Sequence, residues 1–380
     1  MKKYALKLSA FLLAAAAVTA CERWTEPEAR DFTQHPSDQY YADLRAYKAS
    51  EHSIAFGWFG GWNPVEATTA TSLMGIPDSV DLVASWSSFS LTPEQMAEAV
   101  RVKELKGTDV VVTMLLTNIG AKATPEEVTA GVEDRWEQVR LMRHYWGWTD
   151  DADAATIETA IRKYANALVD EVLKYGYTGL DLDYEPNLGS YHNGNIVINE
   201  GKQGDIYAGT MSAQRTTWFI DECSKRLGPK SGTGKLLIVD GLVAQLPKET
   251  GDCFDYYILQ TYGNTSYSSL DGSLKRVVDH FDGFLDEETI TRRTIVTVNM
   301  EGESNWQTGG GGFVLPDNTR TSRLEGMASW EPSNGFRKGG FGAYQMQNDF
   351  KNDCYKFYRA AIRAMTELMH KVPEAPEEEQ

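Results

Sequence analysis

Eight short apolar runs, rich in β-branched and aromatic residues, recur along the chain and are mostly separated by helical patterns. They cover residues 53–58, 80–86, 109–116, 179–185, 236–240, 256–262, 294–300 and 340–347. Strand-length runs that alternate with helices imply a parallel sheet. Eight of them imply closure into a single (β/α)8 TIM barrel of the α/β class. The alternative is an open doubly wound sheet, which would carry a nucleotide loop early in the chain, where none is found. Residues 229–235 only mimic a phosphate loop: neither Ser nor Thr follows Lys235, and the segment precedes a strand instead of following one. The clearest helix lies before the fourth run. There Ile157, Ile161, Tyr164, Leu168 and Val172 form one apolar stripe, and Gly176 is placed as its C-cap.

The ends of the chain read differently. Lys2 and Lys3 precede an apolar stretch over residues 5–20 that closes on Val18-Thr19-Ala20-Cys21. A charged start, a short apolar middle and small residues at the cut make a secretory signal. The last four residues resemble a bacterial lipobox, in which cleavage leaves Cys21 as a lipid-bearing N-terminus. The apolar stretch is shorter than the roughly 20 residues of a spanning helix, which argues against an uncleaved anchor. Residues 1–20 are therefore read as a lipoprotein signal peptide, 21–45 as a tether, 46–370 as the barrel domain and 371–380 as a disordered tail. This places the protein on the cell envelope, most naturally the outer membrane facing the cell surface, held to the membrane through Cys21 alone. The other cysteines, Cys223, Cys253 and Cys354, match no zinc spacing and are read as unpaired. The formal charge is -17, and removing the three lysines of the first twenty residues makes it -20 (-17 minus 3). So acidic a surface repels phosphate backbones, which excludes nucleic acid as a partner and favours a neutral substrate. The 10 Trp and 18 Tyr suit stacking on sugars, and equally suit a large core.

The fourth run carries the chemistry. Side chains alternate along a strand, so Asp181, Asp183 and Glu185 share one face while Leu182 and Tyr184 share the other. In a barrel the first face is the interior, where carboxylates are costly unless they are hydrogen-bonded or share protons. Crowded carboxylates raise one another's pKa, so at least one of them holds a proton near neutral pH. Glu185 ends the strand at the face where barrels of this kind place their chemistry, and it is placed to donate a proton to a leaving oxygen. Asp183 would stabilise from beneath, and Asp181, deepest, would exchange a proton with Asp183. A solvated or ion-paired strand end and a divalent-cation site are the competing readings of the same three residues.

Thr178-Gly179-Leu180-Asp181-Leu182-Asp183-Tyr184-Glu185 resembles the DGxDxDxE signature of glycoside hydrolase family 18, with Thr178 where the family often has Asp. Gln260-Thr261-Tyr262 on the sixth run is similar to the endo-β-N-acetylglucosaminidase branch of that family, where chitinases commonly show Met-x-Tyr-Asp. The resemblance implies retaining hydrolysis of the GlcNAc-β1,4-GlcNAc core of N-linked glycans through a substrate-derived oxazolinium, without metal or other cofactor, by a monomer. It implies Glu185, Asp183, Asp181 and Tyr262 as catalytic residues. Gln260 and Tyr262, on one strand face, would point at the acetamido group, and Tyr344 would floor the site. Trp58, Asn299 and Trp306 are further candidates for substrate contact. The aromatic loop 59–63 and the glycine-bearing loop 301–316, whose residues 309–312 suit a mobile lid, would meet the glycan. A chitinase of the same family and a non-catalytic glycan-binding barrel are the alternatives.

Overall fold

The computed structural model describes residues 36–65, 68–86, 89–186, 196 and 210–369, and in it each of the eight expected runs is a strand of one barrel. The strands are β1 (Ile54–Phe59), β2 (Leu82–Ser85), β3 (Asp109–Leu115), β4 (Gly179–Tyr184), β5 (Leu236–Gly241), β6 (Tyr256–Leu259), β7 (Thr294–Asn299) and β10 (Gly340–Tyr344). All neighbours pair in parallel, and β10 closes the ring by lying between β7 and β1. The remaining two strands, β8 (Gly312–Val314) and β9 (Arg320–Ser322), form an antiparallel hairpin in the connection after β7.

Helices fill most of the connections: α1 (Asp38–Ala49), α2 (Pro93–Lys106), α3 (Arg135–Trp146), α4 (Ala154–Lys174), α5 (Thr210–Ser224), α6 (Tyr267–Phe281), α7 (Glu287–Arg293), α8 (Glu303–Trp306), α9 (Arg323–Ala328) and α10 (Lys356–Met369). Their local chemistry explains their ends. Thr92 and Gln95 form a capping box at the start of α2, and Gly107 ends that helix in the left-handed region at φ 76°. Asp153 caps α4 by accepting from the Thr156 N–H, and the stripe Ile157, Ile161, Tyr164, Leu168 and Val172 is buried as its spacing predicts.

Two apolar layers result. Leu180, Leu182 and Tyr184 of β4 face the helices with Ile161, Tyr164 and Leu168. The barrel interior holds a smaller set that includes Phe56, Trp58, Ile238, Ile258 and Ile295. Asp181 and Asp183 turn toward this second layer, and both are buried.

Between β1 and β2 the described residues form no α-helix, only short turns at Thr69–Thr71 and Leu73–Gly75. Trp62 anchors this connection. Its Nε1 donates to Glu98 Oε2 at 2.6 Å, and its carbonyl accepts from Gln95 Nε2 at 2.8 Å. Trp62 is buried, so it holds the loop down and is not offered to a ligand. The glycine run after β7 also differs from the expected mobile lid. Gly309, Gly310 and Gly311 all have positive φ, and a Cβ on Gly310 would stand 2.7 Å from Val298 Cβ. Glycine is needed there for a close approach of the turn to β7.

Residues 1–35, with the expected signal peptide and Cys21, and the tail 371–380 lie outside the described residues. The tether is expected to reach residue 45, but the chain is already helical from Asp38, and the compact unit that holds the barrel begins at Asp43. No described helix is long and apolar enough to cross a membrane. Cys223, Cys253 and Cys354 are unpaired, as expected.

Candidate active site

β4 ends at Tyr184, so Glu185 stands just beyond the strand, half-buried at the C-terminal mouth of the barrel. Pro186 follows and has no N–H to extend the ladder. Gly241 of β5 backs this corner. Its φ is +92°, and a Cβ there would lie 2.6 Å from the Tyr184 carbonyl oxygen and 3.3 Å from Glu185 Cγ. Asp183, one layer down, is 4% exposed, and Asp181 below it is fully buried. Asp181 Oδ2 accepts from Trp58 Nε1 at 2.9 Å and from Thr113 Oγ1 at 2.8 Å.

A third buried carboxyl belongs to the group, and sequence reasoning missed it. Asp240 closes the apolar run 236–240 and pairs in register with Asp183 on the neighbouring strand, so the two side chains share a face and a layer. Asp240 is fully buried, and its Oδ1 accepts from Gln260 Nε2 at 2.9 Å. The signal was present in the sequence: an acid ending an otherwise apolar strand, of the kind that drew attention to β4. The expected pair of Asp181 and Asp183 is therefore a group of three. Asp240 stands in register with Asp183, and its charge and those of Asp181 and Asp183 act on one another. Burial pushes the Asp181 carboxyl up to about 6, against the hydrogen bonds from Thr113 and Trp58. Burial and then the charges of Glu185 and Asp181 push Asp183 up to about 7. Burial followed by both aspartates puts Asp240 well above the ordinary carboxylate range. No group of three or more His, Cys, Asp or Glu side chains among the described residues converges in a way that could hold a metal ion. Among the described residues no Lys, Arg or His forms an ion pair with Asp181, Asp183 or Asp240.

Gln260 and Tyr262 lie past the end of β6, not within the strand as expected. Thr261 is the reason. Its N–H bends back to the Leu259 carbonyl at 2.8 Å, while its Oγ1 donates to the Thr297 carbonyl and accepts from the Thr297 N–H. A side chain thereby takes the place of the backbone ladder. The Gln260 amide nitrogen is committed to Asp240, so this residue supports the carboxyls. Burial and then the charges of Asp240 and Asp183 push the Tyr262 hydroxyl far up, which keeps it a neutral donor at the mouth. Arg323 holds the Tyr262 carbonyl through its Nη1.

The aromatic candidates separate into two groups. Tyr344, at the end of β10, is half-buried and meets the exposed Trp86 ring edge-on at 5.2 Å between centroids. Trp86, one residue past β2, was not singled out from the sequence, although an aromatic just past a barrel strand is the available signal. Trp58 is 1% exposed and spends its N–H on Asp181, so it supports the site from within and cannot be a sugar platform. Asn299 ends β7 beside Tyr344 and uses its Oδ1 to cap the Glu301 N–H at 2.6 Å. Trp306 packs on the outer core with the Lys351 ammonium 5.2 Å from its ring centroid, a placement that does not bring it to the carboxyls.

Comparison with known proteins bears on the family and the fold. The chain is 25% identical over 332 residues to endo-beta-N-acetylglucosaminidase F2 of Elizabethkingia meningoseptica, covering 81% of this chain and 77% of that one. It superposes on a solved structure of a BT1044 variant with a TM-score of 0.70 and 28% identity, covering 87% of this chain and 93% of the other. An endo-beta-N-acetylglucosaminidase of Cordyceps militaris shares the fold, with a TM-score of 0.58 and 21% identity over 87% of this chain and 97% of that one. The family model "Glycoside hydrolase family 18, BT1044-like" matches residues 25–364, and the chain belongs to that family.

Proposed function

We propose that the protein is an endo-β-N-acetylglucosaminidase that hydrolyses the GlcNAc-β1,4-GlcNAc core of N-linked glycans with retention. The observation that carries this reading is a buried set of aspartates, whose burial and mutual charges raise their pKa values, beneath a half-buried Glu185, with a neutral tyrosine hydroxyl beside them. The family is an exception to the paired-carboxylate scheme because its substrate assists. The acetamido oxygen of the sugar attacks its own C1 while the bond from C1 to the leaving oxygen breaks. That oxygen takes the proton of Glu185, leaving an oxazolinium. Asp183, as a carboxylate, accepts the acetamido N–H and balances the positive charge, and the Tyr262 hydroxyl positions the acetamido oxygen. Glu185 then takes a proton from water, which opens the oxazolinium at C1 from the departed group's side, so configuration is retained.

The preference for N-glycans over chitin rests on the Gln-x-Tyr pair and on the activity for which the F2 relative is named. Mass spectrometry of a glycoprotein after incubation tests it. A single GlcNAc left on Asn is expected, and chitobiose from chitin with an untouched glycoprotein would overturn it. A thiazoline mimic of the oxazolinium is expected to inhibit, and chelators are expected to leave activity unchanged. The lipid anchor at Cys21, the surface-facing outer-membrane location and the monomeric state belong to the same proposal. Palmitate labelling that survives Cys21→Ala would remove the anchor.

Two substitutions probe the mouth. Trp86→Ala removes an exposed ring beside Tyr344, and KM is expected to rise about tenfold, or roughly 1.4 kcal/mol, with kcat little changed. An unchanged KM would show that Trp86 does not touch glycan. Gly241→Ala forces a Cβ against the Tyr184 carbonyl and Glu185. The expected cost is about 1–3 kcal/mol of strain and a fall in kcat of tenfold or more, and wild-type kcat would sink it.

A further inference from the structure

The three buried aspartates leave one oxygen each without a hydrogen-bond partner: Asp181 Oδ1, Asp183 Oδ1 and Asp240 Oδ2. Buried polar atoms are rarely orphaned, and carboxylate oxygens cannot satisfy one another unless a proton stands between them. Asp240 is the member placed to supply it. It is in register with Asp183 on the neighbouring strand, and Gln260 Nε2 pins its Oδ1, which leaves the buried Oδ2 as its free oxygen. Asp181 already accepts two hydrogen bonds at Oδ2, from Trp58 and Thr113, and so is built to be an acceptor. Among the described residues, the charged and titratable groups that face this cluster are Asp181, Asp183 and Glu185 from the end of β4, Tyr262 from beyond β6 and Tyr344 from β10.

We propose that Asp240 is a positioning acid: it keeps its proton at neutral pH and donates it to the unpartnered oxygens of Asp181 and Asp183, so that Asp183 meets the substrate as a carboxylate. A carboxylic acid held neutral by an apolar site so that it can donate a hydrogen bond is a known device of enzyme sites. Here the same acid avoids a third negative charge in the barrel and favours ionised Asp183 through its O–H. Gln260 sets which oxygen carries the proton, which gives the Gln-x-Tyr pair a task besides substrate contact. No net proton is consumed, because the acid begins and ends the cycle protonated.

The role of Asp183 as a carboxylate rests on the proposed hydrolysis, so the first measurement does not use activity. At about pH 8.5, above the range of Asp181 and Asp183, infrared spectra of the full chain are expected to show a protonated carboxyl C=O stretch that Asp240→Asn removes. If the two spectra do not differ there, Asp240 is ionised and the proposal is overturned, whatever the protein hydrolyses. The second measurement is the pH profile of kcat/KM on a glycoprotein. Asp240→Leu is expected to lower it about 10²-fold, the scale of losing one preorganised donor. Its rising limb should move to higher pH, since a hydrogen bond that favoured ionised Asp183 is gone. Asp240→Asn, which still offers an N–H donor, is expected to recover at least about tenfold of that loss and to return the limb toward its original position. An Asn variant as impaired as the Leu variant would mean that the carboxyl must titrate during the cycle, and an unshifted limb in the Leu variant would mean that Asp240 does not act on Asp183. Either result overturns the proposal. If Asp240→Leu fails to fold, the Asn spectrum and profile still decide. If the natural chain releases no glycan, the hydrolase reading fails, and the infrared result stands alone.

Discussion

Replacing Glu185 by Gln is expected to lower hydrolysis of a glycoprotein by about 10⁴-fold or more, equivalent to roughly 5–6 kcal/mol of transition-state stabilisation, with glycan affinity largely intact. The size follows from the residue acting twice. Glu185 first gives its proton to a sugar oxygen, which is a poor leaving group as an alkoxide, and then takes a proton from the attacking water. A glutamine of the same shape does neither, and the two losses fall on successive steps. Because Glu185 stands beyond the strand and is half-buried, the change disturbs no ladder hydrogen bond and no core contact. Quantifying released glycan by mass spectrometry, with binding followed by calorimetry, checks both halves. An aryl glycoside with an acidic leaving group adds resolution: it needs little protonation, so the variant should recover the first step on it and remain slow in the second. Turnover within tenfold of the natural chain on a glycoprotein would end the assignment of Glu185.

The barrel was legible in the sequence because its strands are buried on both faces. Parallel strands covered by helices outside and side chains inside read as near-continuous apolar runs, and the run over 294–300 needs no alternation to be found. The polar exceptions on such runs stand out for the same reason, which is why Asp181, Asp183 and Glu185 marked the site. What escaped was three-dimensional pairing. Asp240 carries no local sign that its register partner is Asp183. Trp58 and Trp86 both sit at the C-terminal end of a strand or just past it, yet one points under Asp181 and the other out to Tyr344. Which way a ring faces depends on where its strand stops, and strand ends were the least visible feature: β6 stops at Leu259 only because the Thr261 side chain substitutes for the ladder. Glycines 309–311 looked like freedom in the sequence, but the packing of Val298 and Phe357 against them requires the absence of a side chain.

Asp183→Asn is expected to reduce kcat by about 10³-fold and, at alkaline pH, to make the protein more stable. The first effect is Coulombic. A carboxylate roughly 4 Å from the oxazolinium charge, at an effective dielectric near 20, is worth about 4 kcal/mol, or some three powers of ten in rate. The second effect is linkage. Asp183 titrates at the ordinary 3.8 when unfolded and near 7 in the fold, because burial and then the charges of Glu185 and Asp181 oppose its ionisation. Between those values the folded state holds a proton that the unfolded state has released. The contribution of this group to stability is therefore fully present below about pH 4 and is lost as pH rises through about 7. A tenfold difference in proton affinity between the two states corresponds to about 1.4 kcal/mol, and sharing protons with Asp181 and Asp240 reduces the total, so the loss is on the order of a few kcal/mol. Asparagine cannot ionise and escapes it. Thermal unfolding of the two proteins should therefore show little difference near pH 4 and a Tm higher in the variant by a few degrees at pH 8. A variant Tm at pH 8 below that of the natural chain would refute the argument, since it would mean that the ionised Asp183 is a favourable part of the fold. The expected sign ties the two effects together: the group that must be charged to meet an oxazolinium is one whose charge the barrel interior resists.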